Sequence, residues 1–520
     1  MRPRQWQPPV ALSTAEAAIV RRIRRGKLFV FLREHRHELF DASMQAELGE
    51  LYSDSRKGQP PVPPAQLALA TILQAYGGWS DDEVIEATTT DRRWEMVLDC
   101  LDADTAPFSK GTLVSFRERL IEHAMDRRLV ERTVELAQST GGFGVAKLRA
   151  ALDSSPLWGA GRVEDTLNLL GHALRKALGM IARQQGRGLA EVAQEAGASI
   201  VSGQSLKAAL DLDWDDASAQ ALALGTVLQA LDAVERHVAD SDIASPEVVA
   251  SLQVAHQVRN QDVVPSPVDG TPMLRQGVAK DRRISVEDAD MRHGRKSRSN
   301  RFDGYKRHVL RDLDSALILA VGVTSANVPE ATVTDDIVAD LEHAGLGLSE
   351  LHIDRGYLSS QWVQQRPAEL EVFCKAWTVR NGDRFPKTAF QLDWQRRTIR
   401  CPNGILAPFE PGGVVHFPAH TCVTCPLHDR CTRSSHGRSV SIHPDERLLA
   451  ELRQRQQSPE GRAVLRQRVG VEHALAHIGQ WQGHRARYRG TRKNLFDTRR
   501  AAIVHNLHVL QRQPYMLAAA

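Results

Sequence analysis

Three carboxylates stand where apolar segments turn. Asp153 follows the apolar run in VAKLRAALDSSPLWG, Asp354 closes LHIDRGY, and Glu472 sits in RVGVEHALAHIGQW. The first two are read as strand tips. Glu472 borders a helical stripe of Val464, Val471, Leu475 and Ile478, with Arg468 one turn earlier on the same side, so it is expected to face a sheet rather than open water. Singly, each acid reads as a solvent-exposed cap. Together at one sheet edge they would repel, by roughly 4 kcal/mol for each pair about 4 Å apart at an effective dielectric near 20. A cation among them relieves that repulsion. Hard oxygen ligands with open water positions select Mg²⁺ or Mn²⁺. Two such ions about 4 Å apart activate an attacking oxygen and stabilise a leaving one, which is phosphoryl-transfer chemistry on nucleic acid. That chemistry requires the three acids to meet in space.

A second constellation is soft. Cys401, Cys422, Cys425 and Cys431 fall within CPNGILAPFEPGGVVHFPAHTCVTCPLHDRC. The CxxC pair lets two thiolates reach one ion from a tight turn, and the other two complete a tetrahedral shell for structural Zn²⁺. In a cytosolic protein clustered cysteines favour metal over disulfide. The plain alternative is four reduced, unligated thiols. His416, His420 or His428 could replace one of them. Four thiolates leave no position open for substrate, so the reaction belongs elsewhere. Cys100 and Cys374 read as buried spectators. A zinc hydrolase is excluded by spacing: in EHALAH, Glu472 precedes both His473 and His477, and position 469 is Val469.

The elements that must position these groups belong to several domains, because 520 residues are too many for one core. The composition, 42% hydrophobic and 25% charged, is that of an ordinary globular protein, and no run of 18 apolar residues predicts a membrane span. The N-terminus MRPRQWQPPV lacks an apolar signal region, which predicts a cytoplasmic protein without a membrane partner. Net charge is only +4, but the basic residues cluster in 282–307 and 485–500, apart from acidic segments such as DLDWDD. Such segregation fits a polyanion-binding surface; a solvated face or a disordered basic loop is the bland alternative.

The N-terminal 140 residues read as a helical bundle, with Ser80 and Glu83 forming a capping box and Ser109 starting a further helix. A glycine break, STGGFG, precedes a strand ending at Asp153. Residues 160–262 have helical periodicity and read as an insertion. VVPSPVDGTP reads as a linker. FDGYKRHVLRD and SALILAVGVTSA read as adjacent strands, TVTDDIVADLEHAG as a helix with a glycine stop, and SELHID and AELEVFCKAW as two more strands. Ser458 and Pro459 start the helix that carries Glu472. Strands followed by alternating helix and strand predict a multidomain α/β protein built on a mixed sheet.

These residues resemble the DDE transposases of bacterial insertion sequences. The matching stretches are LDSSPLWGAG, MRHGRKSRSNRFDGYKRHV, VTSANVPEATV, HIDRGYLS, CPLHDRC, RVGVEHALAHIGQW and RARYRGTRKN, in the family's order from about residue 60 to 510. The resemblance is to the branch with a helical N-terminal domain and a zinc ribbon before the last catalytic helix. It implies an RNase H-like catalytic core, entered at 145–159 and continued at 263–398. It also implies an N-terminal DNA-binding domain at 1–140, a helical insertion at 160–262, a zinc ribbon at 399–435, and a catalytic helix with a basic tail at 436–515. Asp153, Asp354 and Glu472 would be the catalytic acids holding two Mg²⁺ or Mn²⁺ ions. Lys306, Arg355, Tyr357, Arg468, Arg485, Arg487 and Lys493 would contact DNA. Arg468 stands at the family's arginine position, four before Glu472, whereas the tyrosine and lysine positions are Leu465 and Gly479. The implied partners are double-stranded DNA, as the element's terminal inverted repeats and as target, and a second copy of the chain on paired ends, in a bacterial cytoplasm at the nucleoid. The expected reaction is cleavage of the element ends and attack of the freed 3′-hydroxyl on target DNA. A metal-dependent nuclease without strand transfer and an inactive DNA-binding relic or repressor are the rival readings.

Overall fold

The structure, a computed structural model, describes residues 2–54, 59–139, 143–203, 205–210, 212–240, 243–297 and 299–512. Its centre is a mixed six-stranded sheet. The strands are β1 (Leu148–Trp158), β2 (Arg292–Arg295), β3 (Arg301–Asp312), β4 (Ile318–Ser325), β5 (Leu348–Ile353) and β6 (Glu371–Cys374). Their order is β2-β3-β1-β5-β6, with β4 also paired to β3. β1 and β4 run antiparallel to β3, whereas β5 runs parallel to both β1 and β6. Ala150, Ala151 and Leu152 are all buried, as expected of a strand covered on both faces. Leu152 pairs with Ile353, so Asp153 and Asp354 are each the next residue along, on neighbouring strands.

β1 does not end at Asp153 as expected. β5 leaves it there, but β3 stays paired with it as far as Gly304 opposite Trp158. The open side left by β5 tolerates Pro156, which has no N–H to donate.

Helices cover the sheet. Those that matter here are α1 (Pro64–Gly77), α2 (Met125–Ser139), α3 (Val469–Gln482) and α4 (Thr491–Arg512). The capping box of Ser80 and Glu83 is formed, and Ser109 caps Lys110–Glu122. The N-terminal helices do not enclose a core of their own. One buried apolar cluster runs from Leu28 and Leu67 through Leu152, Val309 and Ile353 to Ile478 and Leu507. The long helix α4 joins these parts, packing on α1, α2, α3 and β4. Arg492 and Arg499 both pair with Asp126 at the start of α2. Asn506 bonds the backbone of Ile318 through both its amide oxygen and its nitrogen. Residues 140–142 of the STGGFG break lie outside the described residues.

Thr166–Gln185, Ala217–Asp240 and Pro246–Asp262 form a separate helical cluster. VVPSPVDGTP is not a linker: Val263–Pro265 and Pro272–Leu274 pair as an antiparallel hairpin. The cysteines belong to a third unit with its own small core, in which Phe390, Ile399, Phe417 and Val440 are buried and Phe385 packs at the margin. It spans about 385–442, wider than the 399–435 expected, because the strands Gln391–Asp393, Thr398–Arg400 and Leu406–Pro408 form one sheet. No helix among the described residues is long and apolar enough to cross a membrane.

Two further sequence expectations change, the first at the third acid. The helix capped by Ser458 stops at Arg466, and α3 starts afresh at Val469, leaving Arg468 in the break as its N-cap. The basic stretch 282–307 is also largely committed to the fold. Arg282 pairs with Asp262 and Arg292 with Asp281, while the buried Arg283 donates to the carbonyls of Ser285 and Val286.

Candidate active site

Asp153, Asp354 and Glu472 line one cleft of about 1310 Å³, together with Lys306, Glu330 and Arg468. β1 delivers Asp153, whose Oδ1 accepts the N–H of Ser154 at 2.8 Å. Asp354 caps the single turn Arg355–Tyr357, its Oδ1 accepting the N–H of Arg355 at 2.7 Å. Glu472 lies in the first turn of α3. Its side chain is 51% exposed and opens into the cleft, contrary to expectation. The sheet-facing positions of α3 are taken by Val471, Leu475 and Ile478, which are buried.

Arg468 ties two of the acids together. Its Nη1 donates to Asp153 Oδ2 at 2.6 Å and its Nη2 to Glu472 Oε1 at 3.1 Å. Burial holds the Asp153 carboxyl above the usual range, and Asp354 and Glu472 add to this, while Arg468 opposes it. Burial would lower the Arg468 guanidinium, but Asp153, Asp354 and Glu472 more than offset it and hold it firmly charged. Among the described residues no three His, Cys, Asp or Glu side chains stand close enough to hold a metal ion as they are. The donor set nevertheless suits a hard divalent cation: carboxylates crowd a solvent-open cleft, and the guanidinium between them takes oxygens that a cation would take.

The other expected DNA contacts divide. Lys306 is in the cleft wall, its Nζ donating to the Val328 carbonyl at 2.8 Å. Burial lowers its ammonium, with Glu330 opposing. Arg355 is exposed, its guanidinium 5.7 Å from the Trp377 ring centre. Tyr357 cannot touch DNA: it is wholly buried, and its hydroxyl meets His308 Nδ1 at 2.8 Å. The apolar side of its turn packs into the core, so it supports the site from beneath. Arg485, Arg487 and Lys493 are exposed but do not line the cleft, whose wall His484 reaches instead.

Ser154, Glu330, Trp158, Arg295 and Lys296 also line the cleft, and sequence reasoning assigned none of them. Glu330 lies in VTSANVPEATV. A glutamate just after a proline reads as a helix-start acid, which hides it.

The four thiols of Cys401, Cys422, Cys425 and Cys431 line one pocket of about 30 Å³, with Phe385, Phe417 and His428 around them. All four are free cysteines. Burial pushes the Cys431 thiol up; Arg438 opposes this, and the other three cysteines add to it. The N–H of Leu427 points at Cys425 Sγ, 3.4 Å away. Four cysteines around one small pocket are soft donors of the kind zinc takes, although as placed no three of them stand close enough to hold an ion.

Comparison with known families matches three parts of the chain. Residues 265–372 and 411–511 each match a Transposase DDE domain, and residues 21–119 match a Transposase domain (DUF772). No curated protein and no solved structure matches significantly. Asp354 falls in the first DDE match and Glu472 in the second, whereas Asp153 lies outside both. The two DDE matches, which bring Asp354 and Glu472 to one cleft, and the transposase-type match of the N-terminal region together support a DDE transposase of the insertion-sequence type.

Proposed function

We propose that the chain cleaves the ends of an insertion sequence and joins them to target DNA in the cleft that holds Asp153, Asp354 and Glu472. The observation that carries this is their convergence: acids from β1, the turn after β5 and α3 line one wall system. The sheet supports an RNase H-like core, because three antiparallel strands, β4, β3 and β1, are followed by parallel β5 and β6.

Asp153, Asp354 and Glu472 would hold two Mg²⁺ or Mn²⁺ ions, which when bound supply activation of the attacking oxygen and charge stabilisation of the leaving one. Arg468 balances the acids until then and afterwards meets a DNA phosphate. Lys306 and Arg355 neutralise charge beside the reacting strand. Arg485, Arg487 and Lys493 hold flanking phosphates, and the N-terminal helices read the terminal repeats. Cys401, Cys422, Cys425 and Cys431 would hold a structural Zn²⁺. The chain acts as a homodimer on paired ends, in the cytoplasm at the nucleoid.

The test is a joining assay with labelled terminal-repeat oligonucleotides in Mg²⁺. Asp354→Asn should lower cleavage and joining at least ~10³-fold while leaving DNA binding nearly intact. Cutting without joining by wild type would leave a nuclease. Equal products from wild type and variant would leave a DNA-binding relic.

A further inference from the structure

The cleft has a fourth carboxylate whose position does not follow from the three acids. Glu330 opens a short turn, Glu330–Val333, that packs on the Arg355–Tyr357 turn. Its Oε1 accepts the hydroxyl of Ser154 at 2.5 Å. Ser154 is the residue whose N–H also holds Asp153. Its Oε2 lies directly over Gly356, so close that a Cβ there would overlap it. Gly356 is two residues beyond Asp354. One carboxylate therefore touches both segments that present catalytic acids, β1 through Ser154 and the Asp354 turn through Gly356. Among the described residues no Lys, Arg or His forms an ion pair with it. Lys306 is the nearby cation that feels its charge, and its Nζ is turned to the Val328 carbonyl. Beneath it Tyr357 and His308 form a buried hydrogen-bonded pair that continues to Thr324, a rigid floor.

A negative group without an ion-pair partner in a cleft already crowded with carboxylates works against folding unless it serves the site. A side chain that orients metal-binding residues through hydrogen bonds typically contributes 10- to 100-fold in metal affinity. We propose that Glu330 is a positioning residue that braces the Asp153 strand against the Asp354 turn and so sets the affinity of the cleft for divalent cations. It rests on the metal-dependent function proposed above.

The experiment measures Mn²⁺ binding to the full chain without DNA, by calorimetry or electron paramagnetic resonance, beside thermal melts. Glu330→Ala should weaken Mn²⁺ binding about tenfold with little change in melting temperature. Glu330→Gln, which keeps an acceptor for Ser154, should recover part of that loss. Gly356→Ala should reproduce it with Glu330 intact, because the new methyl expels the carboxylate. Unchanged Mn²⁺ binding in Glu330→Ala overturns the proposal, as does a lowered melting temperature with unchanged binding, which would mark a structural residue only. Wild type that binds no Mn²⁺ overturns this proposal and the metal-dependent function together. Wild type that binds Mn²⁺ but joins no DNA overturns the function alone.

Discussion

Arg468 holds the place of a cation. Its guanidinium bonds two acids at once, so a divalent ion and Arg468 compete for the same oxygens. Arg468→Ala is expected to bind Mn²⁺ about tenfold more tightly without DNA, equivalent to ~1.4 kcal/mol of relieved competition. The same variant should bind DNA more weakly, with a salt slope shallower by about 0.9 for the lost phosphate contact. Equal Mn²⁺ affinity in titrations of the two proteins would refute the competition. Asp153 makes a prediction with pH. Its carboxyl is held above the ordinary 3.8, so the folded chain binds that proton more tightly than the unfolded one. Its contribution to stability is therefore lost as pH rises from 3.8 through the higher folded value. In metal-free buffer, wild type should lose melting temperature relative to Asp153→Asn across that rise, and Mn²⁺ should restore it. The three acids stand out in the sequence because each ends or borders an apolar segment, but their meeting in one cleft is a property of the fold. The resemblance puts Tyr357 with Arg355 near DNA, but the single turn Arg355–Tyr357 leaves Arg355 exposed and buries Tyr357, a division that the sequence does not show. Glu330 was missed because no sequence signal places a loop acid beside a distant strand.

The elements were more legible than their ends. β3, β4, β5 and the helix Thr334–His343 lie where apolar patterning puts them, since burial dictates both. β1 overran its expected end because a strand stops where its partners leave, which is a property of β3 and β5 rather than of Asp153 itself. The close β1–β3 crossing depends on Gly304, at φ +150°, where a Cβ would collide with the backbone of Leu157, Trp158 and Gly159. Gly304→Ala should cost about 3 kcal/mol or more in denaturant unfolding, since backbone cannot yield as a side chain can. A loss below ~1 kcal/mol would show that the crossing is looser than this geometry requires. The break between Arg466 and Val469 was illegible for a similar reason: no proline or glycine marks it, and Arg468 is held there by acids distant in sequence.

At the scale of the whole molecule, the cysteine unit and the cleft rest on different buried clusters, because the buried residues of 385–442 form their own. The purified chain is expected to carry about one Zn²⁺, measured by metal analysis. Cys425→Ser should remove it and open 385–442 to limited proteolysis, while Mn²⁺ binding at the cleft survives. Loss of both together would mean that the two units fold as one. The expected separation at residue 140 is not seen in the core, where apolar side chains on either side pack into a single cluster. Hydrophobic pattern predicts which faces are buried but not against which partner, so shared cores escape a linear reading.

That shared core has a consequence for synthesis. Helix α4, which ends at Arg512, supplies Phe496, Ile503, Val504 and Leu507 to the cluster under both the N-terminal helices and the sheet. A nascent chain that has not yet reached this helix lacks apolar side chains against which both its N-terminal helices and its sheet pack. Nascent chains arrested before Thr491 should be digested by protease at their earliest helices as readily as at their latest, and chains arrested beyond Arg512 should resist at both.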